Sequence, residues 1–424
     1  MHSIVTILLV SIVTSMFCYW NTGCPYRFFS SKTPYNMLRG DIRDSLVKLT
    51  DCEPVSIWGL MRHGKNYPDD GRQMKEAMFI KDYVVSSYEN GNSSLCAQDV
   101  ENLRQWVPDK KIFDKGSQLS EEGYQELVGI GRRLKQAFPK LLAKLNKEDY
   151  TFRAVAKKWA IDSIKGFVEG LGNKNLNIDS PKEGYDNIAP YETCAKYVKD
   201  VISSGANYEE SKKYQHNSEF LASKDRLRRR LGIDQSLTHD NIIAIWDICR
   251  YTSSGTQNRF SPWCALFTTE DLKVMEYEGD LRHYYGSGYG TPINKLFGEI
   301  ALSELLKSFR DTKEGKGKKI TSYVTQSTMM DMAYTALGLY KDENPLTAAQ
   351  RKPDRKWRTS RFSLFSSNLI AVLNKCGKEK DDNFNVVIYL NEEPVRTICK
   401  EGVCTWKEFE DKLSSFLKTN TDFC

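Results

Sequence analysis

Histidine is scarce in this sequence, the net charge is low, and long apolar runs are absent beyond the N-terminus. There are 5 histidines among 424 residues, and no Cys-x-x-Cys pair accompanies them, which argues against a zinc site because zinc ligands are closely spaced. The formal net charge of +6 is mild and does not by itself indicate nucleic acid. No later stretch reaches the ~18 apolar residues of a membrane-spanning helix. We therefore predict no metal, no cofactor, no nucleic-acid partner and no membrane anchor.

The N-terminus has the pattern of a secretory signal. An apolar run from Ile4 to Phe17 is too short to span a bilayer and has the length of a signal-peptide core, although no Lys or Arg precedes it. We expect residues 1–18 to be a signal peptide. Removing Cys18 would leave ten of the 11 cysteines, an even number suited to disulfides in an oxidising compartment. With the sequon at Asn92-Ser93-Ser94, this predicts a secreted, extracellular, disulfide-bonded glycoprotein.

The distribution of strand and helix patterns predicts an α/β fold. With 40% hydrophobic and 27% charged residues, the chain has an ordinary globular composition and can bury a large core. Strand patterns occur early and late, whereas helical patterns and loops dominate the middle. We therefore predict an open sheet flanked by helices, formed by residues 45–172 and 312–424, with an inserted, mostly α-helical cap at 173–311. The predicted strands are Val55–Met61, Thr151–Ala156, Ile320–Thr325 and Asn385–Leu390.

The stretch most indicative of chemistry is Arg62-His63-Gly64-Lys65-Asn66-Tyr67-Pro68. It follows a predicted buried strand, so an imidazole and a guanidinium stand at a strand's carboxyl end, where α/β sheets usually bind ligands. A phosphate there would meet a nucleophilic ring nitrogen and a planar fork of donors. An Arg-His-Gly tripeptide also occurs by chance in loops, so other segments have to decide whether this one belongs to an active site.

This stretch resembles the active-site signature of the histidine acid phosphatases, Arg-His-Gly-x-Arg-x-Pro. Further segments are similar to one branch of that family, the multiple inositol polyphosphate phosphatases. The resemblance implies the family's α/β core with a helical cap over the pocket, and phosphomonoester hydrolysis with His63 as nucleophile and Arg62 holding the phosphoryl oxygens. The matching segments are Leu119–Gly123, Ile161–Ser163, Ser261–Cys264, Asp271–Tyr277, Ala336–Ala348 and Asn391–Pro394.

The sequence departs from the family pattern at the positions that matter for catalysis. Asn66 replaces the second arginine of the signature, and Trp159 replaces the arginine expected before Ile-Asp-Ser. The family's His-Ala-Glu segment, which supplies the acid, falls on Gln326-Ser327-Thr328, none of which donates a proton at neutral pH. General acid help is worth roughly a hundred- to ten-thousand-fold, and one charge contact ~3 kcal/mol. The departures therefore predict a degenerate active site.

Three interpretations follow for function. In the first, a secreted, catalytically impaired relative binds a small ligand (an amine, a lipid or an organic phosphate) in the former active site. In the second, the chain is an active phosphomonoesterase of the inositol polyphosphate phosphatase type that uses His63. In the third, it is an interaction protein that uses its cap surface.

Each candidate ligand-binding residue also has a plain structural interpretation. Trp159 would offer a flat ring to an aromatic or cationic ligand, or would simply fill the space of a missing arginine. For an active enzyme, Asp331 could supply the acid, and lysines could restore positive charge, although surface or solvated placement is the more common outcome for such residues. The candidate ligand-binding residues are Lys65, Asn66, Trp159, Gln326 and Thr328, and the lysines are Lys65, Lys157 and Lys158.

Overall fold

A computed structural model describes residues 25–68, 71–114, 116–234, 236–254, 261–377 and 383–424. The predicted signal peptide at 1–18 and Cys24 lie outside the described residues. The described residues contain one sheet of seven strands. Its strands are β1 (Cys52–Arg62), β2 (Tyr150–Ala154), β3 (Ile320–Thr325), β4 (Asn368–Cys376), β5 (Phe384–Leu390), β6 (Glu393–Pro394) and β7 (Val403–Thr405).

Strand β1 lies in the middle of the sheet and carries the Arg-His-Gly stretch at its end. The strand order is β2-β3-β1-β4-β5-β6, and β7 pairs with β5. Strands β2, β3 and β1 run parallel, whereas β4 is antiparallel to β1. Residues 56–62 of β1 are all buried, as expected of a strand covered on both faces. Because parallel strands end at the same edge, His63 after β1, Trp159 after β2 and Thr328 after β3 come to one side of the sheet.

Helices flank the sheet and form the segment between β2 and β3. Among the described residues, a π-helix spans Val198–Ser203, and the 3-10 helices are Pro25–Phe28, Ser30–Lys32, Tyr35–Met37, Lys147–Asp149, Pro190–Thr193, Pro262–Leu266, Lys400–Gly402 and Ser414–Lys418. The α-helices are α1 (Arg72–Ala77), α2 (Phe79–Glu89), α3 (Ala97–Gln105), α4 (Lys110–Asp114), α5 (Glu121–Ala137), α6 (Pro139–Leu142), α7 (Lys158–Gly170), α8 (Ala195–Tyr197), α9 (Ala206–Tyr214), α10 (Ser218–Leu231), α11 (His239–Thr252), α12 (Thr269–Gly286), α13 (Ile293–Lys313), α14 (Ser327–Ala336), α15 (Thr359–Phe362) and α16 (Trp406–Leu413).

The start of α5 holds the loop that follows β1. Ser120 is the N-cap, and its hydroxyl accepts from the Gly123 amide at 3.1 Å, as its sequence position predicts. A Cβ on Gly64 would lie 2.2 Å from the Gly123 carbonyl oxygen, and one on Gly123 would lie 2.3 Å from the Lys65 carbonyl oxygen. Only glycine fits at both positions, so the backbone of this loop lies directly on the helix.

The helices of the predicted cap segment contact an N-terminal segment of the chain. Helices α9 and α10 pack on α12, and α12 contacts the 3-10 turns Pro25–Phe28 and Ser30–Lys32. Helix α13 crosses the proposed end of the cap at 311 and packs against α14, where a Cβ on Gly298 would lie 2.0 Å from the Met332 carbonyl oxygen. The proposed cap segment is therefore bound to the core by its last helix.

The structure confirms the predicted α/β fold and corrects some element boundaries. Strands Ile320–Thr325 and Asn385–Leu390 lie where predicted, to within one residue. The first two predicted strands differ at their ends, because β1 spans Cys52–Arg62 and β2 spans Tyr150–Ala154. Strand β4 was not predicted, although it lies beside β1 and eight of its nine residues are buried. No helix of the described residues combines the length and apolarity of a membrane span.

Eight of the predicted ten cysteines form disulfides among the described residues. The disulfides are Cys52–Cys376, Cys194–Cys424, Cys249–Cys264 and Cys399–Cys404.

Candidate functional site

The imidazole of His63 lies at the carboxyl end of β1, buried and held in one orientation. Its backbone amide donates to the Thr325 carbonyl at 3.0 Å, which continues the β1–β3 pairing. Its Nδ1 lies 2.8 Å from the Gly64 carbonyl oxygen. Burial lowers the pKa of His63 well below its usual value, and the Arg62 charge lowers it further. The ring is therefore neutral at neutral pH, which is the state in which a ring nitrogen acts as a nucleophile.

The guanidinium of Arg62 is buried and held by backbone carbonyls. Its Nη1 donates to Ser31 O at 2.5 Å and to Ser363 O at 3.0 Å, and its Cζ lies 4.6 Å from the ring centroid of Phe365. Burial lowers the pKa of Arg62 to about 10, and the negative charge of Asp331 opposes that shift. The group thus stays cationic at neutral pH. Its buried Nε has no hydrogen-bond partner among the described residues.

An aromatic ring, that of Trp159, stands where the resemblance predicts an arginine, and a second ring lies near it. The Trp159 ring lies edge-on to His63 with centroids 6.0 Å apart, and the Phe365 ring is 6.4 Å from His63. Ser163 connects this helix to the loop, since its hydroxyl donates to Trp159 O at 2.6 Å and accepts from the Gly64 amide at 3.0 Å. The indole Nε1 of Trp159 is buried without a hydrogen-bond partner in the described chain. The neighbourhood of His63 is therefore more aromatic than the family signature implies.

A cavity of about 420 Å³ lies nearby, although Arg62, His63 and Trp159 are not among the residues that line it. Lys32 lines it, and its ammonium lies 5.4 Å from the Tyr251 ring centroid and 5.5 Å from that of Phe365. The Lys32 charge also lowers the pKa of His63, after burial and Arg62. Sequence analysis missed Lys32 because it precedes β1 by twenty residues. Other residues lining the cavity include Ser31, Tyr197, Ile202, Tyr208, Ile243, Asp247, Arg250, Glu278, Arg282, His283, Ser287 and Thr328.

His283 and Asp331 form a hydrogen-bonded pair at this cavity. The Asp331 Oδ2 lies 2.7 Å from His283 Nδ1 and accepts from the Ser287 hydroxyl at 2.9 Å. The His283 Nε2 lies 3.0 Å from the Ser31 hydroxyl oxygen, and Ser31 also provides the carbonyl that binds Arg62. Asp331 thus reaches the site, as one of the sequence alternatives allowed. His283, which the sequence did not single out as a site residue, lies there with it.

The other predicted ligand-binding residues are distributed over three places. Thr328 lines the 420 Å³ cavity. Lys65 and Asn66 line a neighbouring cavity of about 470 Å³, where Lys65 Nζ donates to Glu122 at 2.8 Å and to Ser253 O at 2.6 Å.

Gln326 lies near the surface, where its Nε2 donates to Glu192 Oε1 at 2.6 Å. The exposed Lys158 pairs with Asp162 at 2.8 Å, and Lys157 lies 4.0 Å from Glu192. The structure therefore brings Arg62, His63 and Trp159 together, with Thr328 in the adjacent cavity. In the described ranges, no three His, Cys, Asp or Glu side chains cluster as metal ligands would.

Related proteins match nearly the whole chain. A protein of Drosophila melanogaster named multiple inositol polyphosphate phosphatase 1 is 29% identical over 425 residues, which covers 95% of this chain and 89% of that protein. The Homo sapiens protein of the same name is 25% identical over 400 residues, with 86% of this chain and 81% of that protein covered. Both relatives carry the name of the branch that the sequence resembles.

Solved structures share the fold at low sequence identity. A phytase from D. castellii superimposes with a TM-score of 0.68 at 16% identity, covering 93% of this chain and 85% of that one. The Bifidobacterium longum multiple inositol polyphosphate phosphatase in complex with phosphate gives a TM-score of 0.59 at 15% identity, with 87% and 92% covered. The family profile of the histidine phosphatase superfamily (branch 2) matches residues 56–391. This match includes β1 with His63, the cap helices and β4 with β5, and the chain therefore belongs to branch 2 of the histidine phosphatase superfamily.

Proposed function

We propose that this protein is a secreted, catalytically impaired histidine phosphatase that binds a small anionic ligand, an organic phosphate, beside His63. The observation that carries the proposal is the indole ring of Trp159, 6.0 Å from the ring of His63, where the family pattern has an arginine. An indole binds no phosphoryl oxygen through charge. It leaves the pocket a flat apolar wall in place of a cation.

The positive charge around His63 is sufficient to bind an anion. It is lower than phosphoryl transfer requires. Arg62 and Lys32 are the cations that act on His63, whereas Asn66 faces another cavity and Gln326 bonds Glu192. Removing one preorganised charged group from around a transition state raises the barrier by about 3 kcal/mol. Since every 1.36 kcal/mol is tenfold in rate, the absence of even one such group slows turnover by roughly a hundredfold.

The proton that the leaving oxygen needs also lacks its usual source. Thr328 occupies the position of the family's acid. Its hydroxyl faces the phenol of Tyr191, whose pKa is raised well above the usual value by burial. Neither group donates a proton readily at neutral pH. General acid help is worth roughly a hundred- to ten-thousand-fold, so this change adds to the effect of the missing charge.

An anionic ligand fits the pocket better than an amine does. Lys32 lines the cavity, and its ammonium lies 5.5 Å from the ring centroid of Phe365, so an ammonium group beside it would be repelled. Arg250 and Arg282 also line the cavity, but each is paired with a carboxylate. Structural neighbours from Bifidobacterium longum were solved with phosphate and with inositol hexasulfate, which supports an anion as the ligand class here. We assign the head of such a ligand to Lys32, Thr328 and the ring of Trp159.

The second candidate function is an active phosphomonoesterase that uses His63 and Arg62. The observation that favours it is the pair His283–Asp331, an imidazole and a carboxylate 2.7 Å apart at the same cavity. The pair could supply a proton from an unusual position. It ranks second because His283 is already bonded at both ring nitrogens, to Asp331 and to Ser31.

Two measurements separate these functions. Phosphate release from para-nitrophenyl phosphate and phytate is measured from about pH 4 to 7 beside a His63→Ala control, and we expect no release that depends on His63. Release that disappears in the control would establish the phosphatase instead. Calorimetry with ethyl phosphate then tests binding, and Trp159→Ala should weaken it. Absence of heat would favour the third interpretation, an interaction protein that uses its cap.

Secretion is part of the proposal and has its own test. Four disulfides suit an oxidising compartment, and Asn92 of the sequon is exposed. Expression of the full chain in insect cells should place it in the medium, with a mass that falls on treatment with peptide N-glycosidase. Asn92→Gln should abolish that mass change. Retention of the untreated chain inside the cells would contradict secretion.

A further inference from the structure

The mouth of the 420 Å³ cavity carries exposed apolar side chains. Ile202 is 46% exposed and Tyr208 is 42% exposed, and both line the cavity together with the half-buried Ile243. Ile202 lies on the π-helix Val198–Ser203, a rare conformation that is frequent at functional sites. Large apolar side chains grouped at the entrance of a cavity mark a binding surface more often than chance exposure.

The arginines of the cavity are already paired with carboxylates. Arg250 bonds Asp247 and stacks on Trp246, with its Cζ 3.5 Å from the ring centroid. Arg282 pairs with Glu278, whose side chain is 1% exposed. Asp247 and Glu278 line the cavity as well. A ligand with many phosphates would have to break these pairs and face the released carboxylates, which is unfavourable at Glu278 in particular because its side chain is buried.

The cationic side chain and the apolar side chains lie in different parts of the same cavity. Lys32 lies on the side of His63, because its ammonium is 5.5 Å from the ring centroid of Phe365, which is 6.4 Å from that of His63. Thr328 lines the same cavity. Ile202 and Tyr208 belong to the cap and reach the solvent. A ligand that satisfies both regions has a charged end and an apolar end.

We propose that the ligand is an amphiphile with a single anionic head group and an apolar chain, and not a compact polyphosphate. The head lies at Lys32 and Thr328, and the chain lies over Ile202, Tyr208 and Ile243. This inference rests on the proposed function, that the cavity binds an anion. The cavity volume of about 420 Å³ is in the range of sites for small organic molecules.

A chain-length series tests the apolar part. Calorimetry with ethyl, butyl, hexyl and octyl phosphate, each below its micelle concentration, should show affinity rising by up to roughly fourfold for every buried CH₂. Octanoate replaces phosphate by carboxylate and identifies which head group the site prefers. Myo-inositol hexakisphosphate should bind more weakly than octyl phosphate. Octylamine should bind more weakly still, because its head is cationic.

Variants at the cavity mouth locate the chain. Ile202→Ser with Tyr208→Ser should weaken octyl phosphate at least tenfold and leave ethyl phosphate unchanged. Val198→Ser is the matched control, since Val198 is 41% exposed on the same π-helix and is not among the residues that line the cavity. It should leave both affinities unchanged. All three changes are at exposed positions, and circular dichroism checks that the fold is kept.

The outcomes separate this inference from the proposed function. The proposed site for the apolar chain of the ligand is overturned if ethyl and octyl phosphate bind equally well, or if the mouth variants bind octyl phosphate like the wild type. Anion binding would stand in either case. Tighter binding of inositol hexakisphosphate than of octyl phosphate would overturn the single-head assignment. If no anion of the series binds, the proposed function itself fails.

Discussion

Two buried polar regions of this molecule differ in how completely their groups are paired. The first lies between α12 and the segment before α15. There, Arg355 bonds Asp280 at 2.6 Å and Glu276 at 3.0 Å, and Arg358 bonds Glu276 at 2.9 Å. The Thr359 amide and hydroxyl donate to Asp280 at 2.8 and 2.7 Å. Both carboxylates thus receive several donors.

The second region surrounds His63, and several of its buried atoms lack a partner. Arg62 Nε, Trp159 Nε1 and Asp331 Oδ1 have no hydrogen bond within the described residues. A buried polar atom without a partner destabilises a fold, so such atoms need either water or a ligand. The comparison separates charges that stabilise the fold from polar groups available for binding.

The largest expected effect is in the paired region. Arg355→Met leaves Glu276 and Asp280 buried with one cation fewer, and breaking a buried ion pair in this way reduces the free energy of unfolding by about 3–5 kcal/mol. Urea unfolding measures the loss. The control is Lys356→Met at the exposed neighbour, for which we expect about 0.5 kcal/mol or less. Equal effects of the two changes would contradict the role of the network.

The next effect is the pH dependence of stability through Glu126. Burial, and then the charge of Glu122, raise the pKa of Glu126 from 4.5 to about 7. Its carboxyl accepts from the Lys65 amide at 3.3 Å, below the loop of His63. Because the folded state holds this proton more tightly, the stabilisation is complete below pH 4.5 and is lost as the pH rises to about 7.

At 1.36 kcal/mol per pKa unit, the loss is on the order of 3 kcal/mol. Glu126→Gln should abolish this part of the pH dependence, and urea unfolding at several pH values between these limits measures it. The wild type at each pH is the control. If both proteins lose stability in parallel, the carboxyl is not the cause.

The third prediction concerns a variant that adds a cation and an acid to the region around His63. Trp159→Arg with Thr328→Glu places a cation and an acid beside His63, and should raise release of phosphate from para-nitrophenyl phosphate by roughly a hundredfold or more. The same double variant with His63→Ala is the control and should show no gain. No increase in a folded double variant would mean that other groups limit turnover.

The smallest effect tests a single unpaired atom. Trp159→Phe removes the indole N–H, and it should weaken ethyl phosphate binding by about 1 kcal/mol if that donor bonds the ligand. The unfolding free energy without ligand should hardly change from loss of this N–H, since it has no partner among the described residues. Trp58→Phe is the control, because Trp58 Nε1 is also unpaired but lies within β1. Unchanged binding in Trp159→Phe would exclude the donor role.

The sequence predicted the parts of the site that follow directly from strand ends. The positions of Arg62 and His63 follow from the apolar run before them, and Trp159 reaches the site because β2 ends beside β3. Strand β3 was predicted correctly for two reasons. Its own sequence has a strand pattern, and the residues before it form a charged segment that contains glycine. These features depend on short-range patterns and on the geometry of parallel strands.

The remaining site residues come from chain segments that only tertiary packing brings together. Lys32 and Ser31 belong to a 3-10 turn in a segment with the pattern of a polar lead-in, and His283 lies late on α12. No local pattern connects them. Gln326 shows a different limit, since its place after β3 indicated the pocket, while its Nε2 donates to Glu192 near the surface. Strand β4 was missed because its apolar run suits a buried helix equally well.

The packing of Gly64 on Gly123 has a consequence for recognising lapsed enzymes. A methyl group at either position would overlap backbone atoms 2.2–2.3 Å away, so the glycine of the Arg-His-Gly tripeptide is required by shape alone. Such a tripeptide can be retained in a protein that has lost the catalytic activity for which the motif is known. A motif search that relies on this tripeptide detects a structural requirement of the fold. The residues at positions 66 and 159, here Asn66 and Trp159, are better indicators of whether the enzyme is active.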